Sequence, residues 1–402
     1  MSIKLIFVIN CGSSSLKFSV INPLTKERLL FGISEYFNNK NSYIKWIINH
    51  NEQKIEFNSI TNHQIILNYL VKKILMKYPN IYNKIIGIGH RIVHGGENFT
   101  DSVIINSKSI EGIKQASIFA PLHNPVQLIG IKEISKIIPH LKNKQVAVFD
   151  TSFHQTLSET AYLYALPIHF YEKYKIRRYG AHGTSHKYVS KTAAKILNIS
   201  LNEFNCISCH LGNGSSITAI YNGKSIDTSM GLTPLEGLVM GTRCGNIDPA
   251  IIFYMKNELN IKINKIYKIL TEKSGVLGLT HLTSDFRYLE NYYSKNKKIK
   301  RAIKIFIHNL SKYIASYTIL LKEKINAIIF TGGIGENSIL IREKTIKKLK
   351  IFGIFLDKEL NNYMKLGKSG FINKKNSSIP ILVIPTNEEL IIAQDTFRII
   401  NI

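Results

Sequence analysis

The chain has 402 residues, 45% of them hydrophobic, and carries 53 Lys plus Arg against 27 Asp plus Glu, a net charge of +26. That length is too great for one core and suits two or three domains, and the hydrophobic content excludes a disordered chain. No apolar run approaches the ~20 residues of a membrane helix. The stretch Leu5–Ile9 is too short for a secretory core and runs into a Gly/Ser turn, so a cytoplasmic location is expected.

The first element is FVINCGSSSLKFSVI, Phe7 to Ile21: an apolar run, an Asn/Gly/Ser turn and a second apolar run. It reads as a hairpin, because Gly and Asn reach positive φ cheaply, and its bare N–H and hydroxyl groups could receive an anion. Short alternating runs from Leu29 to Phe57 indicate further antiparallel strands. Ile65, Ile66, Leu70, Val71, Ile74 and Leu75 then form a helical stripe between Thr61 and Tyr78. A strand at Ile85–Ile88 leads into GHRIVHGG, Gly89 to Gly96, where Arg91 lies among glycines and suits a carboxylate or phosphate. Ala120–Pro125 starts a helix, with His123 as a capping or packing residue. The strand Gln145–Phe149 ends in Asp150. A carboxylate at such a strand end is either a catalytic or metal-binding acid or an N-cap.

The second half opens with RRYGAHGTSH, Arg177 to His186, whose glycines give the His182 ring room beside a ligand, followed by a helix from Lys187 to Leu197. Asn205–Ile220, NCISCHLGNGSSITAI, repeats the first hairpin. Two copies of one anion-ready hairpin suggest a duplicated domain with a phosphate chain held between the halves. Cys206 and Cys209 have haem-attachment or redox spacing before His210, but on a strand residues three apart face opposite ways, so buried thiols are expected. Asp227–Pro249 is long, Gly-rich and irregular, which inside a compact domain points to function. Thr283–Arg287 precedes a helix, and the Lys-rich runs 295–301 and 344–350 are broken by apolar positions, as on solvated helix faces. The net charge therefore gives little reason to expect nucleic-acid binding. Ala327–Phe330 enters Thr331-Gly-Gly-Ile-Gly-Glu-Asn337 and a helix, a strand–turn–helix cradle for a nucleotide phosphate. Gly367-Lys368-Ser369 is no P-loop, because position 362 is Asn. Ile381–Ile384 is a strand, and the last helix begins after a Thr386 or Asn387 cap with Glu388 and Glu389 as first-turn acids.

NCGSSSLKF, GHRIVHGG, APLHNP, VFDTSFHQT, RRYGAHGTSH, HLGNGSS, MGTR, FTGGIGEN and PTNEELIIA, in this order over essentially the whole chain, resemble the acetate kinase family. The resemblance implies an α/β protein of two duplicated ribonuclease-H-like domains in the actin, hexokinase and heat-shock-chaperone ATPase superfamily, with an active cleft between them. One domain would span 1–150 plus 387–402, closed by the C-terminal helix. The second, nucleotide-binding domain would span 151–386. The implied reaction is reversible transfer of the ATP γ-phosphoryl to acetate, giving acetyl phosphate and ADP, with Mg²⁺ or in its place Mn²⁺.

By similarity, Asn10 and Glu388 hold the metal, and Asp150, His182 and Arg243 are catalytic. Arg91 binds the substrate carboxylate, and Val93, Leu122 and Pro234 form the acyl walls. Lys17, His210, Leu211, Gly212, Asn213, Gly214, Asp285, Phe286, Arg287, Gly333, Ile334, Gly335, Glu336 and Asn337 bind nucleotide, with His123 close by. A homodimer is implied, with neither nucleic acid nor membrane as partner. Because acetate is already ionised at neutral pH, Asp150 is expected to orient groups and not to carry a proton. The chain departs from the family pattern at Ser215, Cys244 and Asn246. It also has Ala181 where some relatives carry an aromatic ring, which would leave room for propionate, a difference of only ~1–3 kcal/mol per methylene. The alternatives are a propionate or butyrate kinase of the same family, or a superfamily ATPase without acyl transfer.

Overall fold

A computed structural model describes residues 3–35, 37, 41–321 and 324–401. The chain divides into two compact units, Met1–Ser152 with Asn387–Ile402, and Phe153–Thr386.

The first unit contains strands β1 (Leu5–Cys11), β2 (Ser15–Ile21), β3 (Arg28–Glu35), β4 (Tyr43–Ile48), β5 (Asn51–Glu56), β6 (Ile85–Ile92), β7 (Val103–Ile104) and β8 (Gln145–Phe149). They form one sheet in the order β5-β4-β3-β2-β1-β6-β8-β7. The second unit contains β9 (Cys206–Leu211), β10 (Ser215–Tyr221), β11 (Lys224–Thr228), β12 (Ala327–Thr331), β13 (Gly370–Phe371) and β14 (Ile381–Val383). Their order is β11-β10-β9-β12-β14-β13.

The two sheets share a five-strand plan. In each, the first three strands are an antiparallel meander, and the first then pairs parallel with a fourth, which pairs parallel with a fifth. This order, third-second-first-fourth-fifth, is the ribonuclease-H-like arrangement, and it occurs in both units, as the repeated hairpin suggested. The parallel strands are continuous apolar runs because both faces are covered. In the second unit Cys206, Ala327, Ile329 and Leu382 meet the helix Gly183–Ile196 through Val189 and Ala193. From the opposite face Cys209, Leu211, Ile328 and Phe330 join the cluster of the helix Lys297–Thr318. That 22-residue helix buries Ile299, Ile303, Phe306, Leu310 and Ile314 and keeps Lys297, Lys300, Arg301 and Lys304 outside, so its charge is a solvated face.

Three local expectations change. First, β6 does not stop at Ile88 but continues to Ile92, so Arg91 stands on a strand in register with Val148 instead of in a glycine loop. Gly89 serves packing: a Cβ there would meet Thr396 Oγ1 at 2.5 Å and Ile392 Cγ2 at 2.6 Å, atoms of the helix Glu388–Ile400. Second, the stripe from Thr61 to Tyr78 buries Ile66, Leu70, Val71, Ile74 and Leu75 but leaves Ile65 exposed, and it has three windings: α over His63–Tyr69, π over Leu70–Ile74 and 3₁₀ over Leu75–Lys77. It ends at Tyr78, whose φ −119° and ψ 73° suit the residue before Pro79. Third, the hairpin glycines 12, 212 and 214 are not among the residues with positive φ. The turns close instead by Gly12 N–H to Ser15 O (2.8 Å) and Gly212 N–H to Gly214 O (3.1 Å).

All four cysteines are free, with Cys11, Cys206 and Cys209 buried. Burial pushes the Cys11 thiol up to about 12 and raises those of Cys206 and Cys209, so none of the three offers a thiolate at neutral pH. Only Cys244 is part-exposed. A colorimetric thiol titration of the native protein is therefore expected to count one fast-reacting thiol, which disappears in Cys244→Ser. A second fast thiol would contradict the burial of the hairpin cysteines.

Candidate functional site

The first unit builds an arginine held by carboxylates. Arg91, from β6, donates from Nε to both Asp150 oxygens (3.1 Å each) and from Nη2 to Oδ2 (2.7 Å). Its Nη1 lies 3.6 Å from Glu388 Oε2. Burial works against the charge on Arg91. The carboxylates of Asp150 and Glu388 and the hydrogen bond to Asp150 outweigh it and hold the guanidinium above its ordinary pKa. Asp150 follows β8 directly and its side chain is only 2% exposed, whereas those of Arg91 and Glu388 are each 19% exposed. Adjacent strands thus supply Arg91 and Asp150, and the first turn of the last helix supplies Glu388. Asn10 and Lys17 face each other across the β1–β2 pair. After β6, Val93 N–H donates to Gln127 Oε1 (3.0 Å), and Asn124 brackets His94, accepting from its N–H (3.2 Å) and donating to its carbonyl (2.8 Å). His123 takes the N-cap position of the helix Asn124–Ile137, and Leu122 is 55% exposed.

The second unit gathers a different set at its glycine turn. His182, at the N-cap of Gly183–Ile196, has φ 56° and ψ 24°, left-handed backbone that costs a non-glycine residue roughly 1–2 kcal/mol. Its ring stacks on His210, from β9, at 4.2 Å between centroids. Gly214 sits where a Cβ would lie 3.4 Å from Arg243 Nη1 and 3.5 Å from His182 Cε1 and Nε2. The missing side chain leaves His182 and Arg243 facing the turn together. Arg243 Nη1 donates to the Pro234 carbonyl at 3.0 Å. Among the described residues no carboxylate pairs with Arg243, and burial lowers its pKa. A part-buried guanidinium with no carboxylate partner among the described residues, at a turn of small residues, suits an incoming anion.

Beside this turn lies a cavity of about 660 Å³. Gly212, Asn213, Asp285, Phe286, Arg287, Gly333, Ile334 and Asn337 line it, together with Ser284, Glu290, Ser338, Lys365 and Leu366. Asp285 caps the helix Phe286–Asn291 and is gripped by Arg287 from Nε (3.0 Å) and Nη2 (2.7 Å). Gly332–Asn337 is itself a helical turn, not a loop ahead of a helix. Glu336 does not line the cavity. Its Oε1 accepts from Gly332 N–H (2.9 Å) and Thr386 N–H (3.0 Å), which tethers the turn to the chain after β14. Gly335 is buried against Phe330. Ala181 is 4% exposed and packs with Met230 and Met240, so its methyl belongs to a small core cluster.

Several contributors were not picked out from sequence. Arg342 is fully buried and donates to the carbonyls of Gly335 and Glu336 (2.8 Å each), Asn361 (2.9 Å) and Met364 (2.7 Å), which fixes the far end of the Gly332–Asn337 turn. Asn337 Oδ1 accepts from Leu366 N–H (3.0 Å), which brings Lys365 and Leu366 to the cavity. No spacing rule links positions 342, 361 and 364. The family departures are local ties: Ser215 Oγ donates to Gly212 O (3.0 Å), and Asn246 joins Gly237 N–H (2.8 Å) to Tyr313 OH (2.7 Å).

Two ribonuclease-H-like units, one with a carboxylate-held arginine and one with an anion-ready turn beside a nucleotide-sized cavity, describe a phosphotransferase. The model of the acetokinase family matches residues 5–394. The chain is 56% identical over 396 residues to the acetate kinase of Wigglesworthia glossinidia brevipalpis, covering 98% of this chain and 99% of that protein. It is 53% identical over 399 residues to the acetate kinase of Escherichia coli K12, covering 99% and 100%. Among solved structures, a propionate kinase from Francisella tularensis superposes with a TM-score of 0.92 at 45% identity over 98% of this chain and 100% of that one. The acetate kinase of Porphyromonas gingivalis gives 0.91 at 37% identity over 99% and 100%. The chain belongs to the acetokinase family.

Two expectations follow from the site. Burial holds His90 and His154 down to about 4 and His186 well below its ordinary value, so all three are neutral in the native protein. The unfolded chain binds protons on them from about pH 6.5 downward, so stability is full above that value and falls as pH drops toward 4. Urea midpoints should decline between pH 7.5 and 5; a flat profile contradicts neutral burial. Gly214→Ala should fold, since its Cβ makes only ordinary contacts, yet lose at least about tenfold in kcat by standing between His182 and Arg243. A fully active Gly214→Ala would show that nothing passes there.

Proposed function

We propose that the chain catalyses reversible transfer of the γ-phosphoryl group of ATP to acetate. The observation that carries this reading is Arg243, a part-buried guanidinium with no carboxylate partner among the described residues, set with His182 around Gly214. Phosphoryl transfer is mainly positioning and neutralisation of charge on a loose transition state, and these groups supply cationic and donor character where a phosphate would pass.

The acetate carboxylate attacks the γ-phosphorus, the bond from phosphorus to the β,γ-bridging oxygen breaks, and ADP leaves with the electron pair. No proton needs to move. Arg91 meets the acetate carboxylate, while Asp150 holds Arg91 by its Nε–Nη2 edge and leaves Nη1 turned toward Glu388. Asp150 is thus an orienting group. Val93, Leu122 and Pro234 are the proposed acyl walls. Lys17 contacts the nucleotide phosphates, and the cavity lined by Asn213, Asp285, Phe286, Arg287, Gly333, Ile334 and Asn337 takes the rest of ATP. His210, Leu211, Gly212 and Gly214 shape the turn against its phosphates. Gly335 and Glu336 act through the fold of their turn.

No group of three or more His, Cys, Asp or Glu placed to hold a metal occurs among the described residues. Mg²⁺ needs no such cluster, because it takes one or two protein ligands and completes its shell with water and phosphate oxygens. The part-exposed carboxylate of Glu388 and the Asn10 amide fit that requirement. When bound, the ion would neutralise charge on the phosphate oxygens. Mn²⁺ has the same ligand preference.

A homodimer is supported by exposed apolar side chains on neighbouring helices: Phe253 63%, Tyr254 59%, Ile263 55% and Tyr267 50% exposed. Four free thiols and the need for ATP support a cytoplasmic setting. No helix among the described residues is long and apolar enough to cross a membrane.

The test is to incubate purified protein with ATP, Mg²⁺ and acetate, propionate or butyrate, and to trap the acyl phosphate with hydroxylamine. Acetyl hydroxamate is expected in greatest amount. Phosphate release without hydroxamate would overturn acyl transfer. Asp150→Asn should reduce kcat at every pH, since it loosens Arg91; a variant as active as wild type would remove the orienting role.

A further inference from the structure

Behind His182 lies a row of buried groups that the mechanism above does not use. Ser216 Oγ, from β10, is 2.9 Å from His182 Nδ1 and 2.8 Å from His186 Nε2. His186 Nδ1 is 2.9 Å from Ser208 Oγ, on β9. His186 stands one turn after His182 on the same helix and is fully buried. Edge-on to it at 5.8 Å is His154, whose Nε2 lies 3.0 Å from Ala181 O and whose Nδ1 lies 2.8 Å from Ser225 Oγ.

The proton count decides how these groups can be arranged. A carbonyl only accepts, so His154 donates from Nε2 to Ala181 O and, being neutral, accepts from Ser225 at Nδ1. That bond also holds the backbone next to His182. Ser216 has one hydroxyl proton for two imidazole nitrogens. It can donate to His182 Nδ1 and accept from His186 Nε2–H, with His186 Nδ1 then accepting from Ser208. Alternatively it can donate to His186 and accept from His182 Nδ1–H. With His186 neutral, these two orders exclude each other. Only the first leaves a neutral His182 with its proton on Nε2, the nitrogen that faces Gly214 and Arg243 Nη1.

We propose that Ser216 and His186 are positioning residues for His182, the shared hydroxyl fixing which imidazole nitrogen carries the proton. The proposal rests on the reading of His182 as a donor to the transferring phosphoryl group. The order runs from Ser208 O–H to His186 Nδ1, from His186 Nε2–H to Ser216 Oγ, and from Ser216 O–H to His182 Nδ1. The His182 proton is then on Nε2, the nitrogen that faces Gly214. To gain a proton at Nδ1, His182 would need His186 to exchange tautomer and both hydroxyls to turn. The row thus keeps the imidazole in one form through the catalytic cycle.

The experiment combines ¹⁵N-histidine NMR of the full-length protein with kinetics. The His182 resonances are assigned by their loss in His182→Gln. In wild type, Nδ1 is expected at an unprotonated shift and Nε2 at a protonated one. In Ser216→Ala the two shifts should converge as both tautomers populate. kcat should fall roughly tenfold, the equivalent of one ordinary hydrogen bond, while KM for ATP and acetate stays within about twofold. Ser216→Thr, which keeps the hydroxyl, should restore both readouts. Ser208→Ala, one step further back, should move the His182 shifts in the same direction by less. Wild-type shifts and kcat in Ser216→Ala would overturn the proposal. If that variant does not fold, unmoved His182 shifts in Ser208→Ala would do so. A fully active His182→Gln would instead remove the role of His182 itself, a failure that the NMR arm keeps separate because it reads the tautomer without turnover.

Discussion

The second unit is arranged around a charge that it leaves unanswered. Arg243 is part-buried, donates to the carbonyl of Pro234, and has no carboxylate partner among the described residues. Even partial removal of a guanidinium from water without a counter-ion works against the charge. A fold keeps such a cost when something outside the chain supplies the missing charge. The long segment between β11 and residue 249 exists to hold this arrangement: Arg178 ties the carbonyls of Thr228 and Ser229 and the carboxylate of Glu236, and Asn246 closes the loop onto Gly237. The strained backbone at His182 and the bare Gly214 belong to the same design. Each brings a donor or open space to the same turn.

The first unit treats its arginine in the opposite way. Arg91 is forked by Asp150 and approached by Glu388, so its orientation is fixed before any substrate arrives. A guanidinium held along its Nε–Nη2 edge has a defined direction in which to meet a planar carboxylate. The two arginines thus differ in kind: Arg91 is held by carboxylates, and Arg243 has none among the described residues.

Duplication explains how one topology came to carry both tasks. In the register of the first hairpin Asn10 faces Lys17, and in the second His210 faces Ser216, one pair back from the turn in each case. These corresponding positions carry a candidate metal ligand, a candidate phosphate contact, a stacked imidazole and the hydroxyl behind His182. The doubling was legible in the sequence because hairpins are local: apolar run, small-residue turn, apolar run. The strand ending at Asp150, the opposed faces of Cys206 and Cys209, and the cap at Asn387 were legible for the same reason. The purpose of the glycines was not. Sequence suggests positive φ, but Gly89 makes room for a helix some 300 residues away, and Gly214 lies beside two side chains from different elements. Arg342, Lys365, Ser208 and His186 were missed because their partners lie across the sheet or on other helices, a relation that no periodicity encodes.

The most direct measurement is the thermal stability of wild type and Arg243→Met, with and without saturating ADP and Mg²⁺. An unpaired buried cation held for an anion predicts that Arg243→Met alone is at least as stable as wild type. It predicts also that ADP raises the wild-type melting temperature well above that of the variant. A variant that is less stable alone, and that gains as much from ADP as wild type does, would mean that Arg243 is a structural residue and that the anion site lies elsewhere.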